Sequence, residues 1–200
     1  MEEKLYIKSY ALIESGKISV DGNIVFESAA LPVSDFLKDG LRHFGIQYPK
    51  FFKMDNLSKL AFLGSELLLS DGGHPETALL FANASSSLDT DVAHQESISD
   101  KENYYPSPAV FVYTLPNICL GEISIRHQLK TENSFFIFGA FNAGFFAGYA
   151  ENLIRTGKAK NVLCGWTELF RDEYKAFLYV VSDEGETEHT KQNIELLYTN

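Results

Sequence analysis

Two hundred residues suffice for one domain with a sizeable core, and 45% hydrophobic residues with 14% aromatics exclude a disordered chain. A formal net charge of -10, from 27 acidic and 17 basic residues, excludes nucleic acid as a partner and disfavours attachment to an anionic membrane surface. No run reaches membrane-spanning length and the Met-Glu-Glu-Lys start lacks a signal pattern, so a cytoplasmic protein is expected.

In chain order, Leu5 to Ile13 reads as a first strand. Ile18 to Phe26 continues as a hairpin turned by Asp21-Gly22-Asn23. Pro32 and Ser34 open a helix that runs to Phe44, with Leu37, Leu41 and Phe44 on one face and His43 at its rim. Asp55 is placed to cap the next helix, whose Leu60, Leu63, Leu67 and Leu68 form an apolar stripe for a sheet. Asp71-Gly72-Gly73-His74-Pro75 is a turn, and Thr77 to Ala84 is a buried strand. Asp89, Asp91, His94 and Glu96 share no metal-ligand spacing, so they read as a solvated loop or short helix and no metal is expected.

Residues 104–168 carry the most information. An extended approach (YYPSPAVFVY) leads to a helix (TLPNICLGEISIRHQL) and a buried strand (SFFIFGA). A tightly packed helix (FNAGFFAGYAENLIRTG) and a second buried strand (KNVLCGWTE) follow. Short apolar strands alternating with helices predict layered α/β architecture. Ala143, Gly144, Ala147, Gly148 and Ala150 keep one side of the later helix slim while Phe141, Phe145, Phe146, Tyr149 and Leu153 are bulky, so that helix is expected to be central or to await a covering partner. Gly139 and Gly144 do not make a phosphate loop, because Phe145 follows where Lys is needed, and no cofactor is expected. Cys119 and Cys164 both fall inside apolar elements and read as buried structural thiols without a disulfide. Beyond Val181 the chain is expected to be a polar tail (183–200) or an edge strand ending in Leu196-Leu197.

The run Thr114-Leu-Pro-Asn117, Leu120-Gly121, Ile123-Ser124-Ile125, the strand-to-helix elbow, Gly157 and Cys164-Gly165-Trp166-Thr167-Glu168 resembles the N-terminal half of the β-ketoacyl synthases. Lys53-Met54-Asp55-Asn56 is similar to the segment that opens a helix in that family, with Asn56 in place of its basic residue. The resemblance implies a thiolase-like half: a mixed five-stranded sheet with helices on both sides, forming a single ketosynthase N-terminal-like domain over residues 1–200. It places Ala140 where the family carries its acylated cysteine, or Phe141 after a shift of one residue. Neither a methyl nor a benzyl group can be acylated. The family's C-terminal half and its two catalytic histidines have no counterpart, and His43, His74, His94, His127 and His189 match neither. A Ser-His-Asp hydrolase is disfavoured because no such motif is present.

A chain with these losses is similar to the non-catalytic chain-length factors, reduced further, of the kind that accompany ketosynthases making aryl polyene or related lipids. The resemblance implies no catalytic residue and a heterodimer with a catalytic ketosynthase subunit whose acyl tunnel this chain shapes. Ser134 to Gly139 would pair across the dimer axis, and Phe135, Phe138, Phe141, Asn142 and Phe145 would form the interface and tunnel end. An acidic acyl carrier protein would dock mainly through the partner, because this chain repels it. The alternative is a stand-alone homodimer that binds an acyl chain or acyl carrier without chemistry.

Overall fold

The computed structural model describes residues 4–29, 32–69, 75–102 and 104–199. Strands β1 (Tyr6–Glu14), β2 (Lys17–Val20) and β3 (Asn23–Glu27) form an antiparallel meander. Each of its two turns needs consecutive residues at positive φ, Ser15-Gly16 and Asp21-Gly22, which suits short polar side chains and glycine. Asp21 also accepts from the Tyr10 N–H and the Ser9 hydroxyl, both at 2.9 Å, which pins the second turn to β1.

The rest of the chain alternates helix and strand. After α1 (Val33–His43), a 3-10 turn at Pro49–Lys53 and α2 (Asn56–Leu69), β4 (Thr77–Asn83) enters the sheet one strand in from its border. Then come α3 (Leu88–Ser99), α4 (Pro108–Val112), α5 (Ile118–His127), β5 (Asn133–Ile137) and α6 (Ala143–Arg155). The chain closes with β6 (Asn161–Phe170), β7 (Glu173–Ser182), β8 (Thr187–Glu188) and α7 (Lys191–Thr199). The strand order is β3-β2-β1-β7-β6-β4-β5, with β8 also beside β1. Strands β5, β4 and β6 are parallel, and β7 runs against both β6 and β1.

Every residue of β4 is buried, as expected of a parallel strand covered on both faces. One face carries a core built with α1, α2 and α5, including Phe62, Leu63, Leu79, Phe81 and Ile123. The other carries a core built with α6 and α7, including Leu80, Ala82, Phe146, Trp166, Phe177 and Ile194. Helix α2 lies in the first layer at close range, because a Cβ on Gly64 would sit 2.8 Å from Leu178 Cδ1. Its start is capped by Asp55, which accepts from the Ser58 N–H at 2.9 Å and from the Thr90 hydroxyl at 2.8 Å.

The mixed α/β layering agrees with expectation, and several details differ: the strand expected to be buried at 134–140 is the partly exposed border strand β5. The sheet has eight strands because the β2–β3 hairpin and β8 extend the five-stranded mixed set β1-β7-β6-β4-β5. The approach at 104–113 contains helix α4, begun by Ser107 and Pro108, where an extended run was expected. The segment expected as a polar tail or an edge strand makes β8 and then an amphipathic helix, α7, whose Ile194 is fully buried. The helix that is buried almost all round is α2; α6 buries one face through Ala143, Phe146, Ala150 and Leu153 and leaves Gly144 and Gly148 exposed. The expected turn at 71–75, apart from Pro75, lies outside the described residues.

Gly165 pairs with Phe81 across the β6–β4 ladder, and a Cβ there would meet the Phe81 ring at 2.5 Å. Gly165→Ala is expected to lower stability by about 2 kcal/mol through overpacking. Gly148→Ala, with no atom within 4 Å of the added methyl, should raise it by roughly 0.5–1 kcal/mol. Chemical denaturation of the two variants beside the parent measures both.

Candidate functional site

Ligands of open α/β sheets gather where parallel strands end and helices begin. Here the carboxyl ends of β4, β5 and β6 converge on the head of α6. The Phe138 N–H donates to the Asn83 carbonyl at 3.0 Å, which carries the β4–β5 ladder one residue further. The chain then bends at Gly139 and Ala140, and Asn142 caps α6 by accepting from the Phe145 N–H at 3.0 Å. Glu168 Oε2 accepts from the N–H groups of Ala84 and Ser85 at 2.6 and 3.3 Å, fixing the chain as it leaves β4. The motif glutamate therefore works as a brace between two strand ends.

Ala140, at the elbow, is exposed and carries only a methyl group. Both thiols are buried: Cys119 Sγ donates to the Pro116 carbonyl at 3.1 Å, and Cys164 lies in β6. Burial raises both, Cys164 to about 12 and Cys119 further, so neither is a thiolate at neutral pH. His43 is exposed beside Phe26 and Phe44, and His94 packs on Phe111. His127 meets Glu66, and burial lowers His189 to about 4 beside Tyr179. His74 lies outside the described residues. Asp89 accepts from the Arg171 N–H and Asp91 from the Ser87 hydroxyl, and among the described residues no cluster of three or more His, Cys, Asp or Glu could hold a metal.

The expected aromatic set divides. Phe138 and Phe145 meet at 4.8 Å, joined by Phe136 at 4.7 Å from Phe145 and by Tyr149 at 5.5 Å from Phe136. Phe135 points to the opposite face, toward the α2 and α5 core, because side chains alternate along a strand. Phe141, partly buried, packs against Phe146, Trp166, Phe177 and Tyr198. Asn142 is exposed and serves as the cap. Phe136 and Tyr149, unassigned from the sequence, were signalled by the two-residue step from Phe138 and the four-residue step from Phe145.

The two borders of the sheet differ. At the β3 border the register shifts between Ile18 and Ser19, and Lys17 pairs with Glu27 at 3.7 Å; a bulge and charges blunt such an edge. At the β5 border the register runs unbroken through Asn133-Ser-Phe-Phe-Ile137, without charge or proline. Residue 138 donates to β4, and Glu132 accepts from Leu79, so the even positions face β4 and those of Asn133, Phe135 and Ile137 face outward. Among the described residues no strand meets them. Ile137 is 50% exposed, and α4 with its flanks also exposes Tyr105 (77%), Phe111 (61%), Val112 and Leu115. Ser87 ties this segment to the end of β4 by donating to the Thr114 carbonyl at 2.7 Å. These apolar residues were missed because their spacing resembles an ordinary core run.

Away from the elbow, a groove of about 900 Å³ is lined by Phe44, Ile46, Glu66, Arg126, His127 and Lys130, among others. Glu66 there accepts from Arg126 Nε and Nη2 at 2.9 and 2.8 Å and lies 2.9 Å from His127 Nε2. This cluster joins the ends of α2 and α5.

With this geometry in hand, comparison with solved structures is informative. The chain is similar to the ishigamide ketosynthase/chain length factor, with 18% identity and a TM-score of 0.64 over 90% of this chain and 62% of that one. It is similar to the ketosynthase ApeO in complex with its chain length factor ApeC from Xenorhabdus doucetiae, with 14% identity and a TM-score of 0.64 over 98% of this chain and 90% of that one. A β-ketoacyl synthase from Burkholderia phymatum STM815 matches with 14% identity and a TM-score of 0.58 over 91% of this chain and 59% of that one. No family model and no curated protein matches in sequence. The fold is thus the thiolase-like fold of ketosynthases and chain length factors, and the chain spans less than two thirds of the length of the first of these.

Burial pushes the Glu66 carboxyl up, but bonds from His127 and Arg126 outweigh it and hold the group below its ordinary range. A lowered folded pKa adds stability above the unfolded value and loses it as pH falls through the folded one. Glu66→Gln should therefore cost about 2 kcal/mol at pH 7, discounted for the partly exposed Arg126, with the gap narrowing below about pH 4. Thermal or urea unfolding across pH checks both the size and the sign.

Proposed function

We propose that this chain is a non-catalytic, chain-length-factor-like subunit that pairs with a catalytic β-ketoacyl synthase and shapes its acyl tunnel. The setting is type II fatty-acid or polyketide synthesis of the aryl polyene kind, in the cytoplasm. The observation that carries the reading is the elbow: in a ketosynthase fold, the position at the head of α6 holds the methyl group of Ala140, and both thiols of the chain are buried and protonated. Chemistry at that point must come from another molecule.

The β5 border, which no strand covers among the described residues, supports a partner of the same fold. Edge pairing supplies main-chain hydrogen bonds, while Ile137, Phe111, Val112 and the Phe136–Phe138–Phe145 group supply apolar area and bulk. The interface and tunnel-end set proposed from sequence is retained as Phe138, Phe145 and Asn142, with Phe135 contributing its outward main chain and Phe141 supporting from within. Titrating such a surface with an acidic carrier is unfavourable for a chain of net charge -10, so the carrier docks through the ketosynthase.

Co-expression with a ketosynthase from the same gene neighbourhood tests the proposal. A one-to-one complex is expected, with condensing activity lost when this chain is omitted. Ile137→Pro removes an outward N–H without touching the β4 ladder, so it should abolish the complex and leave the melting temperature of the free chain nearly unchanged. Phe138→Ala in the complex should lengthen the products. A stable homodimer indifferent to the ketosynthase would overturn the reading in favour of a stand-alone binder.

A further inference from the structure

Helix α2 buries a basic side chain that it does not pair. Of the described lysines, Lys59 alone is buried, at 7% exposure, in the first turn of the helix enclosed by the sheet, α1 and α5. An ammonium so placed ordinarily has a carboxylate or carbonyl to hold it. Asp55 stands one turn earlier, at the spacing of a helical ion pair, but its oxygens are taken: Oδ1 by the Ser58 N–H at 2.9 Å and Oδ2 by the Thr90 hydroxyl at 2.8 Å. Among the described residues none forms a hydrogen bond or an ion pair with Lys59 Nζ.

Lys38, across on α1, adds a like charge and is itself committed to Asp35 at 2.9 Å. Burial first, and then repulsion from Lys38, hold the Lys59 amine below its ordinary range against a smaller pull from Asp55. The side chain is not sealed, because its stem is buried while Nζ keeps contact with solvent. Desolvation and a cationic neighbour are the two conditions that turn a lysine into a nucleophile. Both act on the proton and not through the bonds of the side chain, so the free amine keeps its reactivity toward a carbonyl carbon.

We infer that Lys59, pressed by Lys38, is an acylation site: an amine that takes the acyl group of a thioester and holds it as an amide. Nζ of the neutral amine attacks the thioester carbonyl, the N–C bond forms as the C–S bond breaks, and the proton released from nitrogen goes to the departing thiolate. The product is uncharged, so the modification removes the buried charge and its repulsion by Lys38 together. That thioesters are the donors this chain meets rests on the proposed chain-length-factor role; the reactivity of Lys59 does not, and it is tested on the free chain.

The chain is incubated with the small thioester S-acetyl-N-acetylcysteamine near neutral pH, and acetylation of each lysine is read by peptide mass spectrometry at low conversion. Lys59 should react about five-fold faster than the median of the other lysines, or more. In Lys38→Gln, which removes the like charge, that lead should shrink about two-fold while the other lysines keep their rates. The substitution touches only the partly exposed Lys38–Asp35 pair, so circular dichroism should be unchanged. A Lys59 rate at or below the median, or a lead that survives Lys38→Gln undiminished, overturns the inference. Because no ketosynthase is present, failure here leaves the pairing experiment unaffected.

Discussion

Burial of β4 along its whole length is the constraint on which the rest of the structure depends. A strand covered on both faces needs an apolar layer on each side, and the chain supplies them unequally. On one side α2 is buried almost all round, sandwiched by α1 and α5. On the other, α6 buries a single face and α7 completes the cover. Close approach sets the first of these distances, because Gly64 of α2 admits Leu178; within the sheet, Gly165 admits the Phe81 ring of the neighbouring strand.

This division leaves one helix face exposed. Gly144 and Gly148 of α6 are exposed, the elbow before it carries Gly139, Ala140 and Phe141, and among the described residues no strand pairs with the outer edge of β5. At the strand ends Glu168 braces the backbone of Ala84 and Ser85, and the elbow itself presents the methyl group of Ala140. Beside it the rings of Phe136, Phe138 and Phe145 pack on one another and give the surface its contour.

Much of the fold was legible in the sequence, for reasons that can be named. Local chemistry placed the Asp21-Gly22 turn and the Asp55 cap, both realised by the expected hydrogen bonds. Apolar runs placed β4 and β6, and the Asn-to-Glu168 succession gave the family resemblance that the structural likenesses support. What was not legible depends on tertiary partners. Leu196-Leu197 reads as a strand until Ile194 and Tyr198 are seen to find the sheet. The strand SFFIFGA reads as buried because hydrophobicity does not distinguish a central strand from a bare border. The family resemblance grouped Phe135, Phe138 and Phe141; which way each ring turns, Phe135 toward the α2 face and Phe141 toward Trp166, depends on strand alternation and on the elbow's path.

The unlike borders of the sheet carry a consequence for assembly. A sheet receptive at both margins can be extended without limit, copy upon copy, into a fibre. Here one margin is kinked and charged at β3, while the other, at β5, lies straight and neutral. Under the proposed pairing, strand addition at β5 would end after a single step, because the bulged and charged β3 margin offers no matching template for the next copy.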